Sequence, residues 1–261
     1  MKYKPLLTAI LIYLSVQVIG LYVGYDLLGK IQAEVIQPAV QNPESPYSSV
    51  QLLVYILVMT GVLILLLKFG LDILIKILVA LSIFTGISIT LWCIFGDYGF
   101  LMTILLIPVI LWERKNISVM NAALILTITG IGSFLGASLA VLPAFLFLSL
   151  LAIYDLIAVF GTKHMVYLAE KGKGRFPFMF LIPFGKKNLG LGTGDLAIPL
   201  MFATSVLRDY ALSNAVITAL GGLAGLISLL FYIQGKKKIT LPALPPVAIG
   251  SILGFGISLL F

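Results

Sequence analysis

An all-α membrane protein with nine spanning helices is the fold this sequence predicts, and three observations predict it. Of its 261 residues, 61% are hydrophobic and only 10% are charged. That is too little polar surface to cover a water-soluble domain of this size. The apolar residues fall in long runs, close to the ~20 residues a helix needs to cross the hydrocarbon layer. The lysines and arginines gather between alternate runs. The mean hydropathy of +1.15 agrees.

The runs lie at roughly 5–27, 49–67, 73–95, 98–112, 117–140, 143–163, 188–207, 213–234 and 241–261. The first resembles a secretory leader only superficially. It is longer than a typical leader core and has no small-residue cleavage site, so it reads as a membrane helix. The second and third are parted by charges at Lys68 and Asp72. The fourth is short. From Ile117 to Phe160 the only charged residue is Asp155. One helix of that length would measure about 65 Å, twice the hydrocarbon thickness, so the chain must fold back once. Pro143 is the predicted turn.

The charge balance supports this division. With nine spans, one side of the membrane carries Lys2, Lys4, Lys68, Lys76, Arg114, Lys115, Lys163, Lys171, Lys173, Arg175, Lys186, Lys187 and Lys236 to Lys238. Those are 15 basic residues against two, Lys30 and Arg208, on the other side. Without the fold-back the split becomes about 7 against 10. Positive charge marks the cytoplasmic side, so the N-terminus is expected in the cytoplasm and the C-terminus outside. The expected location is the cell membrane, as a multi-pass integral protein in contact with lipid. The chain divides into residues 1–163 with helices one to six, a cytoplasmic loop at 164–187, and residues 188–261 with helices seven to nine.

Two loops stand out. Residues 29–48, rich in Gln, Pro and Ser, read as a solvated outer loop. In the cytoplasmic loop, the apolar stretch Phe176 to Pro183 has prolines near both ends, which argues against a helix. It could plug a site or pair as a strand with an unwound chain; an apolar loop lying at the interface is an equal reading. Glycines recur four apart at Gly132/Gly136, Gly190/Gly194, Gly221/Gly225 and Gly250/Gly254. Such pairs let helices approach closely in lipid. That reading is accepted for all but Gly190/Gly194.

The net charge of +7 is explained by topology, so nucleic acid is not expected as a partner. The single cysteine, Cys93, and single histidine, His164, exclude an intramolecular disulfide and a metal site of the Cys/His kind. No metal and no cofactor are expected. His164 reads as a surface residue.

The acids point to chemistry. Asp26, Glu34, Glu44, Asp72, Asp97, Glu113, Glu170 and Asp209 fall at predicted helix ends or in loops. Asp155 and Asp195 alone lie inside apolar spans. A carboxylate there is expensive unless it is neutral, paired or in a wet cavity, so it signals function by default. Asp155 lies eight residues before Lys163, and Asp195 eight after Lys187. If both stretches are helical, each aspartate is about 12 Å deep from the same face. Adjacent antiparallel helices would then set them opposite each other.

Two facing carboxylates suit acid–base hydrolysis of a peptide bond. At ~5 Å and an effective dielectric near 20, their repulsion is about 3 kcal/mol. Such a pair holds one proton between its members. The ionised carboxylate takes a proton from water while the protonated one polarises the scissile carbonyl. Gly190, Gly192 and Gly194 precede Asp195, where they weaken a helix and let water or another backbone come near. Leu241-Pro242-Ala243-Leu244-Pro245-Pro246 opens the ninth span, and its prolines favour an extended backbone.

Tyr154-Asp155, Gly192-Thr193-Gly194-Asp195 and Pro242-Ala243-Leu244 resemble the YD, GxGD and PAL motifs of the presenilin and signal-peptide-peptidase family. They stand in that family's order, in the sixth, seventh and ninth spans. The resemblance covers the whole architecture, although the strong match is confined to about ten residues. It implies an intramembrane aspartyl protease that cleaves transmembrane segments, with Asp155 and Asp195 catalytic. It also implies that the Pro242-Ala243-Leu244 segment lies beside the site and helps hold substrate, with Tyr154, Gly192, Thr193 and Gly194 as supporting residues. The orientation is similar to presenilin, which implies substrates with the N-terminus outside. Small size and bare termini look like an archaeal homologue. Thr193 departs from the pattern, since relatives often carry a bulky apolar residue there; substrate preference is the property this touches.

Three rival readings differ in chemistry. An ion- or proton-coupled transporter also uses buried aspartates near broken helices, but no internal repeat is visible and the proline-rich ninth span has no role in it. A prepilin-type peptidase would keep the reaction and change the substrate. A noncatalytic scaffold would leave the motifs without use. Physiological substrate, cleavage position, accessory subunits and oligomeric state, a homo-oligomer included, are left open.

Overall fold

A computed structural model describes residues 4–161, 179–184, 187–233 and 242–261. These residues form α1 (Lys4–Gln32), α2 (Pro46–Lys68), α3 (Asp72–Phe95), α4 (Tyr98–Trp112), α5 (Ile117–Ala137) and α6 (Val141–Leu156), which runs into a π-helical turn (Ile157–Gly161). There follow β1 (Met179–Phe184), β2 (Lys187–Gly192), α7 (Gly194–Asp209), α8 (Leu212–Ile233) and α9 (Leu244–Ser258). Six of the described helices are long and apolar enough to cross a membrane: α1, α2, α3, α5, α6 with its π turn, and α8. The apolar α4 and α9 are shorter.

The central element is α7. It packs against α1, α5, α6, α8 and α9, and its residues from Pro199 to Leu207 are all buried. Close approach is achieved by glycine. A methyl group on Gly136 would lie 2.4 Å from the Met201 carbonyl oxygen, and one on Gly20 would meet the Leu200 side chain. The same device joins α8 to α9: a methyl on Gly221 would lie 2.3 Å from the Gly250 carbonyl oxygen, and one on Gly225 2.2 Å from that of Pro246. The predicted packing role of these spaced glycines therefore holds for α5, α8 and α9.

Polar ties fix the end of the bundle away from the acidic pair. Asp209, at the end of α7, accepts the Val141 N–H at 2.7 Å and so satisfies a free donor at the start of α6. Ser49 on α2 donates to the Pro143 carbonyl at 2.7 Å. The segment between α1 and α2 is docked, not merely solvated as the sequence suggests. Val40 is buried in the core, the Ala39 N–H donates to Ser138 Oγ, and the Ala140 N–H donates to the Pro43 carbonyl. Asp26 lies inside α1, not at its end, and pairs with Lys30, which stacks over the Trp92 ring at 3.7 Å.

Three further expectations change. The chain turns at Ser138 to Ala140, and Pro143 sits in the first turn of α6, where its missing N–H costs no helical bond. Residues 188–192 are strand, not the start of a helix. Pro245 and Pro246 likewise lie in the first turn of α9, and Ala243 just before it already has right-handed helical backbone angles, so the expected extended backbone is not seen there. His164, Leu241, Phe176 to Phe178 and most of the cytoplasmic loop lie outside the described residues.

The strands form an antiparallel hairpin, with Met179 opposite Gly192, Leu181 opposite Gly190 and Pro183 opposite Asn188. Phe180 and Ile182 are fully buried and join Leu191 in one core cluster with residues of α1, α5 and α7. The predicted non-helical character of the Phe176–Pro183 stretch is thus realised over its described part as a strand.

Candidate active site

The hairpin delivers the chain to α7. With 16 residues, α7 measures only about 24 Å, less than the ~30 Å hydrocarbon layer. Asp195 is the second residue of this helix, after Thr193 at the N-cap. Backbone N–H groups are unpaired there and the helix dipole favours an anion. Pro199 lacks the N–H that would bond the Asp195 carbonyl, which loosens the first turn. The depth match inferred from helical rise does not hold for Asp195, because Lys187 to Gly192 is extended.

Asp155 occupies the last turn of α6, just before the π-helical turn. Such turns are rare and cluster at functional sites. Its side chain is buried, at 8% exposure. Among the described residues its Oδ2 atom has no hydrogen-bond partner. A buried, unpaired carboxylate oxygen is unfavourable and persists where function holds it.

The two acids come together. α6 packs on α7, and Asp155 is near enough for its charge to act on the Asp195 carboxyl. Each carboxyl also meets a backbone amide from another motif. The Leu244 N–H faces Asp155, and the Gly192 N–H faces Asp195. Leu244 is the first residue of α9, so two helix N-termini converge on the pair.

The other predicted residues fall into place around it. A methyl on Gly192 would lie 2.7 Å from Asp195 Oδ2, so only glycine leaves room for the carboxyl. Gly194 is exposed with nothing within 4 Å of where a side chain would start; the space beside it is open. The Thr193 carbonyl accepts the Ala197 N–H at 3.0 Å and starts α7. Pro242, Ala243 and Leu244 are buried. Ala243 packs with Phe180, Leu191 and Leu196, whereas Leu244 joins Phe147, Leu148 and Leu151. The segment therefore bridges the hairpin and α6. Tyr154 is half-buried and shares a hydrogen bond with Thr60 of α2. Thr60 carries no sequence signal of this role. Among the described residues no three of His, Cys, Asp and Glu gather as a metal site would require.

A multi-pass helical membrane protein holding two acidic side chains near enough for one charge to act on the other is the class that this geometry defines. Comparison with known proteins gives the family. The model for signal-peptide peptidase and presenilin aspartyl protease matches residues 9–189, which include Tyr154-Asp155 and stop just short of Gly192. The chain belongs to that family. Two solved structures of a presenilin-family intramembrane aspartate protease share the fold. One, in space group P2, is 26% identical with a TM-score of 0.73, and the alignment covers 100% of this chain and 99% of that one. The other, in space group C222, is 24% identical with a TM-score of 0.73, covering 98% and 99%. No match was found among curated protein sequences. This protein is accordingly an aspartic endopeptidase that hydrolyses peptide bonds within transmembrane segments.

Proposed function

We propose that Asp155 and Asp195 are the catalytic pair of this protease, sharing one proton and one water. The ionised carboxyl takes a proton from water as its oxygen attacks the scissile carbonyl carbon. The protonated carboxyl gives its proton to the carbonyl oxygen, leaving a neutral gem-diol. On collapse one gem-diol hydroxyl gives its proton to the ionised carboxyl as the C–N bond breaks, the amine nitrogen takes the proton of the other carboxyl, and the pair is left again with one proton. The observation that carries this reading is the convergence of two helix N-termini, through Asp195 itself and the Leu244 N–H, on the two adjacent acids.

All nine helices cross the membrane, with the N-terminus cytoplasmic and the C-terminus outside, and the enzyme resides in the cell membrane. The split of 15 basic residues against two supports this orientation. Substrates present their N-terminus outside. Residues 1–163 supply the first acid, 164–187 the cytoplasmic loop and 188–261 the second acid with the Pro242-Ala243-Leu244 segment. Tyr154, Gly192, Thr193 and Gly194 support the site. An unwound substrate passes through the open space beside Gly194 and is held by Pro242 to Leu244.

The test is cleavage of a model transmembrane peptide by the purified protein in ¹⁸O-labelled water. Direct attack by water places one ¹⁸O atom in the new C-terminal carboxyl and none in the amine product. A label pattern showing that the carboxyl oxygen comes from an enzyme aspartate would contradict it. So would ion-driven flux in proteoliposomes as the sole activity that depends on both acids.

A further inference from the structure

Asn121 lies one turn inside α5, in an otherwise apolar stretch. A side-chain amide in such a place must find partners, since an unpaired one is costly. Both of its groups go to a single residue of the hairpin. Its Nδ2 donates to the Leu181 carbonyl at 2.9 Å, and its Oδ1 accepts the Leu181 N–H at 3.1 Å. A residue on a third strand would make the same two bonds. Leu181 therefore turns its N–H and carbonyl outward from β2. Pro183, two residues on, presents its missing N–H to the same outer edge, where no ladder bond is lost. Asn121 thus closes the free edge of β1 and ties it to α5.

Packing alone does not fix the hairpin along its own axis. Apolar contact is non-directional, and a slip of two residues would keep Phe180, Ile182 and Leu191 on the same face. The two-point bond to Leu181 removes that freedom. Leu181 stands opposite Gly190 in the ladder, and β2 continues through Gly192, against which the Asp195 carboxyl rests.

We infer that Asn121 is a positioning residue for proteolysis: by locking the hairpin to α5 it sets where Gly192, and hence the Asp195 carboxyl, stands. The inference rests on the reading of Asp195 as catalytic. Its test uses the purified full-length protein and one transmembrane peptide, with Asn121→Leu, Asn121→Gln and Asp195→Asn side by side. Asn121→Leu keeps the volume and removes the bonds. It is expected to lower kcat about tenfold, with KM within about twofold and the melting temperature in detergent nearly unchanged. Asn121→Gln retains the amide and is expected to recover most of the loss. Hydrogen exchange gives a second readout: the Leu181 amide should exchange at least about tenfold faster in Asn121→Leu, with α7 unaffected. Wild-type kcat in Asn121→Leu, equal losses in Leu and Gln variants, or unchanged exchange at Leu181 would overturn the inference. Activity in Asp195→Asn would instead remove the reading on which it rests.

Discussion

Replacing either Asp155 or Asp195 with asparagine is expected to lower kcat for a transmembrane peptide by at least about 10³-fold while the protein stays folded. Each carboxyl has a share in both proton transfers, so neither can be spared. The two act as a unit, and the double variant should be no slower than either single one. Stability should move the other way. Asp155 Oδ2 is buried without a partner among the described residues, so a neutral amide at that position removes a buried acid with one oxygen unsatisfied. Thermal unfolding in detergent at equal protein and detergent concentration checks this: Asp155→Asn should melt no lower than the wild type. Inactivity accompanied by collapse of the melting temperature would mean a structural acid, not a catalytic one.

Gly192→Ala should be the most damaging substitution that removes no catalytic group. The added methyl would sit 2.7 Å from Asp195 Oδ2, and ordinary contact requires the carboxyl to retreat by nearly 1 Å. A displacement of that size costs on the order of 10² in rate. KM should change little, because the substrate channel is not filled. Gly29→Ala is the matched control. Gly29 lies in α1 with nothing within 4 Å, so alanine there should leave kcat intact and favour the helix by up to about 1 kcal/mol. Steady-state kinetics on the two variants and the wild type separate the cases. Equal kcat in Gly192→Ala and Gly29→Ala would show that the carboxyl is not held where the geometry has it.

The helices were legible because lipid imposes a simple demand: every span is a long apolar run. The run at 98–112 coincides with α4, and most others agree to within a few residues. Lipid gives no such guidance where the chain leaves the helix to build a site. Leu189, Gly190, Leu191 and Gly192 are as apolar as any span, so they read as helix. Their strict alternation of leucine and glycine was the signal for a strand. Prolines misled in the opposite direction. Pro143, Pro245 and Pro246 are strong breakers inside a helix yet fit its first turn, and sequence alone does not say which side of the boundary they occupy. The acids were legible from isolation, since Asp155 and Asp195 are the only acidic residues in the interior of any predicted span, each eight residues from the nearest basic end, Lys163 or Lys187. What they meet was not. The Leu244 N–H, Thr60 and Asn121 depend on which helices pack together, and one sequence carries no record of that.

The central claim is that both acids act on one atom of the substrate. A structure of the enzyme bound to a peptide carrying a hydroxyl in place of the hydrated scissile carbonyl tests it most directly. The account predicts that hydroxyl within about 3 Å of a carboxyl oxygen of Asp155 and of one of Asp195 at once. A peptide bound in the site with its hydroxyl against one acid, and the other acid turned to a different partner, would contradict it.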